Sequence, residues 1–444
     1  MSALRVLKQK WKGTMDFKNQ YGWKKTFVVV KRVLLKQPID DVVANSTPMP
    51  VVPVNKDSKV KDLLNVRFRG LQPIPSIHVN DDVKRLNLVT DSIDKNSLLG
   101  GVATALIVAT EFARKNDMIL RIITRTEPVT PANYKNIIAI SGLEPYEKVE
   151  FYSDCDRDKK GDINHKLEVS KTDVFFATSW WSAEAIKKTT RRKRFYYIIQ
   201  EVETFFYPHG EDHYLCSRIM EDENIDYIIN SKYLRDYFEK NTPHIVENGV
   251  FFYPAFAKDM YKASDFKEKE KYKLFFYARP NNPRNMFYYG LSLLDHAIET
   301  GVLDTDKWEI CFAGQNIPKI IFNNGYQAKD LGLMSWEKYG EFLSTVDLAV
   351  SLMYTPHPSY PPYDVACSGG VVLTNQCLNK LDFPECKNIL MADLDKDEFV
   401  TKMKDAIKLA TDMKQRKKNY EESAIPRDWV KTLGGVMDFM QEKL

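Results

Sequence analysis

The chain has no apolar run long enough to span a membrane: the longest, residues 98–109, is about a dozen residues and is interrupted by glycine and threonine. It also lacks a continuously apolar N-terminal stretch, so no secretory leader is expected. The six cysteines (155, 216, 311, 367, 377 and 386) form no CxxC or other metal-ligand spacing. Reduced thiols in a cytoplasmic protein are expected, with Cys311 and Cys367 as small core residues. There is no internal repeat, no low-complexity tract and no nucleic-acid-binding motif. What is present is ordinary globular composition, 44% hydrophobic and 28% charged over 444 residues, enough for two large domains with their own cores.

The net charge of +4 conceals an asymmetry. Residues 1–36 carry ten Lys or Arg against one acid, Asp16, interleaved with Leu4, Trp11, Phe17, Trp23 and Phe27. A basic, Trp-bearing segment of this kind suits an anionic membrane surface, with a solvated extension packed on the body as the alternative and nucleic acid not expected. A cytoplasmic location is expected, peripheral to the inner face of the plasma membrane on the membrane reading of this segment. Residues 37–62, with Pro38, Pro48, Pro50 and Pro53, read as a linker.

Alternation of strands and helices begins at residue 85. Apolar runs of strand length fall at 85–90, 118–124, 149–152, 173–178, 195–200 and 226–230, with helical segments between most of them. After a Lys- and Glu-rich stretch around 255–273, a second series follows: strands at 273–278, 308–313, 346–353 and 370–374, a helix over 283–300, and helices after Ser335 and from Pro361. Two such blocks predict an α/β protein of two doubly wound parallel-sheet, Rossmann-like domains facing a cleft, with a basic N-terminal extension. The expected division is 1–62 for the extension and linker, 63–258 for the first domain together with a terminal helix in 426–444, and 259–425 for the second.

Two turns carry the chemistry. In the first, Arg279 ends a strand, Asn282 is a good N-cap, Pro283 fits a first helical position and Arg284 sits in the first turn. Two guanidinium forks beside a positive helix start would neutralise charge on a departing nucleoside diphosphate. In the second, Pro356-His357-Pro358-Ser359-Tyr360-Pro361-Pro362-Tyr363-Asp364 places the Asp364 carboxylate on a helix, where it can accept from a ribose hydroxyl. Ser359 and the backbone near Tyr360 would reach sugar or phosphate oxygens. In the first block, Gly100-Gly101 opens a helix and lets backbone amides approach a ligand closely. The loop 200–210 collects carboxylates, aromatics and a histidine on the ligand-binding side of the sheet. Glu203 and His209 are the catalytic candidates there; Trp180, Glu201 and Tyr207 are candidate acceptor contacts. Asp154-x-Asp156 and Asp304-x-Asp306 have metal-binding spacing but read as turn aspartates, so no metal or other cofactor is expected.

These residues resemble the GT-B glycosyltransferases of family four, and within them the WsaF-like rhamnosyltransferases of bacterial surface glycans. The resemblance rests on Arg279 and Arg284, the run from Pro356 to Pro362, Gln200-x-x-Glu203 with Phe206-Tyr207-Pro208, Trp180-Trp181 and the Gly100-Gly101 helix start. It covers about residues 85–440. The wider family carries two glutamates separated by seven residues; this chain has Pro356 and Asp364 at those places. The resemblance implies retaining transfer from a nucleotide sugar, dTDP-L-rhamnose in this branch, to a glycan or lipid-linked acceptor. A non-catalytic glycan or nucleotide-sugar binding protein, or a phosphorylase-type enzyme, are the alternatives on the same fold.

Overall fold

A computed structural model describes residues 59–94, 100–155 and 166–444. The basic segment 1–36, most of the linker and Asp156 lie outside the described residues. The chain divides into two compact units, Met1–Gln72 and Pro73–Leu444. In the first, helix Val60–Arg67 and a 3-10 turn at Arg69–Leu71 are described, so helix begins before residue 62, inside the span expected to be linker. Asp62 in its first turn and Arg67 in its last match the helix dipole.

Among the described residues, the second unit holds fifteen strands, in chain order β1 (Ser76–His78), β2 (Arg85–Thr90), β3 (Ile119–Thr124), β4 (Val149–Ser153), β5 (Leu167–Val169), β6 (Val174–Ala177), β7 (Phe195–Ile199), β8 (Ile225–Asn230), β9 (Gly249–Phe252), β10 (Tyr272–Ala278), β11 (Trp308–Gly314), β12 (Lys329–Asp330), β13 (Leu348–Val350), β14 (Val371–Asn375) and β15 (Ile389–Ala392). Seven make one sheet in the order β4-β3-β2-β6-β7-β8-β9, and six make another in the order β12-β11-β10-β13-β14-β15. Every pairing within these sheets is parallel. The strands that read as unbroken apolar runs do so because helices cover both sheet faces, leaving β2, β7, β8 and β14 buried along their whole length.

Each sheet has its own core. Leu86, Leu88, Ile122, Phe176 and Ile198 belong to the first, together with Trp429, Val436, Met437 and Met440 from the chain's end. The terminal segment 429–443, expected as one helix, is two: Trp429–Thr432 and Gly434–Glu442. The Tyr196 hydroxyl donates to the Met440 carbonyl at 2.6 Å, tying the last helix to β7. Leu274, Phe276, Leu293, Phe312 and Val350 centre the second core. Among the described residues no helix is long and apolar enough to cross a membrane. No disulfide joins any of the six cysteines, all of which are described.

The expected helix 283–300 is interrupted. Pro283–Asn285 form a 3-10 turn, Met286 takes a left-handed conformation at φ +50°, and helix Phe287–Glu299 starts after it. Asn282 caps this turn, its side chain accepting the Arg284 amide at 3.3 Å. Arg284 is therefore placed by a short turn and lies outside the long helix. The anion-binding argument from a helix start does not hold here, and the guanidinium groups alone supply the charge.

Candidate active site

In parallel sheets, loops at the carboxyl ends of the strands form the ligand site. Here the loop after β7 (Gln200 to Tyr207) meets the turn after β10 (Arg279, Arg284) and the loop after β13 (residues 351–360). Arg284 Nη1 donates to Glu201 Oε2 at 2.6 Å, and the guanidinium lies 4.2 Å above the Phe206 ring. Thr355 Oγ1 donates to the same carboxylate oxygen at 3.2 Å. Burial pushes the Glu201 carboxyl up, and the Arg284 charge opposes that. Burial likewise pulls Arg284 down, with Glu201 acting against it and the neighbouring Arg279 charge adding to it. The two arginines are thus close enough to sense one another, as a shared anion would require. Arg279 itself is exposed.

Tyr360 crosses from the second sheet's loop to the first sheet. Its hydroxyl lies 2.5 Å from Thr104 Oγ1 and accepts from Asn230 Nδ2 at 2.7 Å. Gln200 Nε2 donates to the Gly101 carbonyl at 2.8 Å. A Cβ on Gly100, whose φ is +58°, would come 3.0 Å from the Tyr360 ring, and one on Gly101 would come 3.0 Å from the Gln200 amide. The glycine pair therefore serves close packing across the cleft. Its helix start is covered by Tyr360 and Gln200, where the sequence pointed to amides open to a ligand. A cleft lined by Gly100, Thr104, Phe256, Tyr261, Trp336 and Tyr360 lies beside this junction.

Asp364 stands in the first turn of helix Pro361–Cys367 and is buried. Tyr339 donates to its Oδ2 at 3.2 Å, while Oδ1 has no hydrogen-bond partner among the described residues. Burial pushes its carboxyl up to about 7, against the pull of Tyr261 and Tyr339. Ser359 is buried in a left-handed conformation at φ +67°.

The remaining sequence candidates fall elsewhere. Glu203 is buried, and its Oε2 accepts the Trp180 amide at 2.8 Å. It thus completes the start of helix Trp180–Lys187, which Ser179 and Ser182 cap reciprocally. The Trp180 indole donates to the Tyr207 hydroxyl at 2.9 Å, and its ring meets Trp181 and Tyr207 edge-on. Trp180 and Tyr207 satisfy each other instead of facing an acceptor, because a buried indole N–H needs a partner and the phenol supplies it. Glu201, the third acceptor candidate, is taken up by Arg284. His209 is exposed, its ring 4.4 Å from that of His213 in the helix Glu211–Met220 that follows. Of the metal-spaced pairs, Asp154 pairs with Arg125 at 2.7 Å, and Asp304 accepts the Asp306 amide within its own turn. Two buried residues escape the sequence reading: His357, although it lies within the proline-rich run, and Lys380, in a turn with no local signal.

Two facing parallel sheets with ligand loops in the cleft between them define a GT-B fold. Solved structures agree: Staphylococcus aureus TarM, crystallised with fondaparinux, α-GlcNAc-glycerol and UDP, superposes with a TM-score of 0.58 at 9% identity over 80% of this chain and 99% of its own. Sucrose-phosphate synthase of Thermosynechococcus elongatus gives 0.55 at 10% identity over 81% of this chain and 99% of its own. A Rickettsia africae glycosyltransferase gives 0.51 at 11% over 82% and 99%. Residues 85–232 match the family described as WsaF, N-terminal domain, and residues 272–404 match WsaF, C-terminal domain. The two matches together span more than half of the chain, which belongs to the WsaF-like GT-B glycosyltransferases. The O-antigen biosynthesis protein RfbC of Myxococcus xanthus is 25% identical over 245 residues, 53% of this chain. The chain spans only 18% of that relative's length.

Proposed function

We propose that the chain transfers a sugar, with retention, from a nucleoside diphosphate to a bacterial surface glycan, and that the donor is dTDP-L-rhamnose. The observation that carries this reading is the Arg284–Glu201 contact, which holds the turn after β10, with Arg279 in it, against the first sheet's loop after β7, while Asp364 stands in the helix that follows the second sheet's next ligand loop. Arg279 offers an exposed guanidinium to the diphosphate, and Arg284 adds a second charge held in place by Glu201. Together they stabilise the negative charge that grows on the leaving nucleoside diphosphate as the glycosidic bond breaks. Asp364, a carboxylate in the first turn of the helix that follows the second sheet's ligand loop, is the candidate acceptor for a ribose hydroxyl. The UDP in the TarM complex and the O-antigen role in the RfbC name support a nucleotide donor and a surface-glycan product.

The test is a panel of nucleotide sugars, scoring nucleoside diphosphate release with and without glycan acceptor. Release of dTDP from dTDP-L-rhamnose is expected, undiminished by EDTA because the arginines take the place of a cation. Arg279→Ala should weaken dTDP binding ten- to a hundredfold, as about 1.5–3 kcal/mol is lost with a charge-assisted hydrogen bond. Turnover abolished by EDTA and restored by Mg or Mn would end the metal-free reading. Nucleotide binding with no turnover on any acceptor would favour a binding protein, a reading that Pro356 supports by standing where the wider family has a carboxylate.

A further inference from the structure

The loop between β13 and helix Pro361–Cys367 holds an imidazole that the site described above leaves unused. His357 is 6% exposed, and its Nδ1 accepts the Ser359 amide at 3.0 Å. A ring nitrogen that accepts a backbone N–H carries no proton, so the neutral ring must be protonated at Nε2. Burial keeps the ring neutral, and the Lys380 and Arg284 charges reinforce this, pulling its pKa down to about 3. Nε2–H is therefore a buried donor, yet it has no hydrogen-bond partner among the described residues. Buried donors are nearly always satisfied, and an exception in a ligand-side loop is accounted for by a group that the site takes up.

The surroundings fix where that donor sits. Lys380, fully buried, donates from Nζ to the Met353 carbonyl at 2.9 Å and to the His357 carbonyl at 3.4 Å, holding the loop from behind. On the cleft side, Thr355 reaches Glu201 and Tyr360 reaches Thr104. The imidazole is thus locked between two fixed points of a loop that faces the first sheet.

Resting on the nucleotide-sugar reading, we propose that His357 is a specificity-determining residue whose Nε2–H donates to an oxygen of the donor's sugar ring or hydroxyls. Charge matching argues for the sugar over the diphosphate. The diphosphate is served by two arginines, whereas an imidazole that neighbouring cations keep uncharged pairs best with an uncharged oxygen.

Calorimetry on the full chain tests this with two probes, dTDP and dTDP-L-rhamnose. For His357→Ala, dTDP affinity should stay within about twofold while dTDP-L-rhamnose affinity falls about tenfold, the worth of one buried hydrogen bond. His357→Gln, which retains an N–H, should recover part of the loss. Equal weakening of both probes would assign the bond to phosphate and overturn the proposal, as would no change in either. A collapsed melting temperature in both variants would make His357 purely structural and overturn it equally. Wild-type protein that bound neither probe would instead remove the nucleotide-sugar reading, and this proposal with it.

Discussion

Glu203 shows how one carboxyl couples position to pH. Burial is the largest influence on it and pushes its pKa from 4.5 up to about 7, while the Trp180 amide and Tyr197 pull the other way. A carboxyl whose pKa is raised on folding binds its proton more tightly in the folded chain, so stability is full below pH 4.5 and declines up to about pH 7. The shift corresponds to about 3 kcal/mol at most. Glu203→Gln keeps an oxygen for the Trp180 amide and removes the titration. The variant should therefore melt higher than wild type at pH 8, with the gap closing at pH 5. Asp364, also raised to about 7, titrates in both proteins and so cancels in the difference between the two melting curves. Parallel curves across this range would show that Glu203 does not titrate as a buried acid. The pattern around Glu203 was readable in sequence as a ligand-side loop. Its task at the start of a helix was not, because the Trp180 amide it receives is twenty-three residues away.

Elements show where sequence patterns suffice and where they stop. Most strands of both sheets were legible because burial on both faces writes them as apolar runs, whereas the edge strands β9, β12 and β15 were not. The 3-10 turn at Pro283 was not, since an Asn cap followed by proline marks a long helix and a short turn alike, and Met286 gives no hint of a left-handed backbone. Arg279, Arg284 and Asp364 were visible as charges at strand-to-helix turns. The Arg284–Glu201 pair was not, because it joins positions eighty-three residues apart. The helix start at Gly100 provides a test at this scale. Gly100→Ala places a side chain at φ +58° and against the Tyr360 ring, and the left-handed backbone alone costs about 1–2 kcal/mol. A melting temperature lowered by several degrees is expected. Tyr360→Phe, which removes the hydroxyl's bonds to Thr104 and Asn230, should show a comparable loss, about 0.5–1.5 kcal/mol for each hydrogen bond. Tolerance of Gly100→Ala would mean that the Tyr360 contact is looser than the structure has it.

The whole molecule is joined twice. The chain passes from the first sheet to the second after β9 and returns at its end, where Val436, Met437 and Met440 enter the first core. Removing Gly434–Leu444 should therefore destabilise the first sheet although the second sheet's loops are untouched. The milder Met440→Ala is expected to cost about 2–5 kcal/mol, as for other fully buried long side chains. Chemical denaturation followed by tyrosine and tryptophan fluorescence would measure it. A full-stability truncation would show that the last helix is only an ornament of the fold.

The double crossing also bears on how the cleft works. With a covalent leash at each of two points, the sheets cannot diffuse apart, and any opening resembles the turning of a book about its spine. Arg284 and Glu201 would then meet again as tethered groups at high effective concentration, so that each reclosure after product leaves is a unimolecular event whose rate is independent of protein concentration.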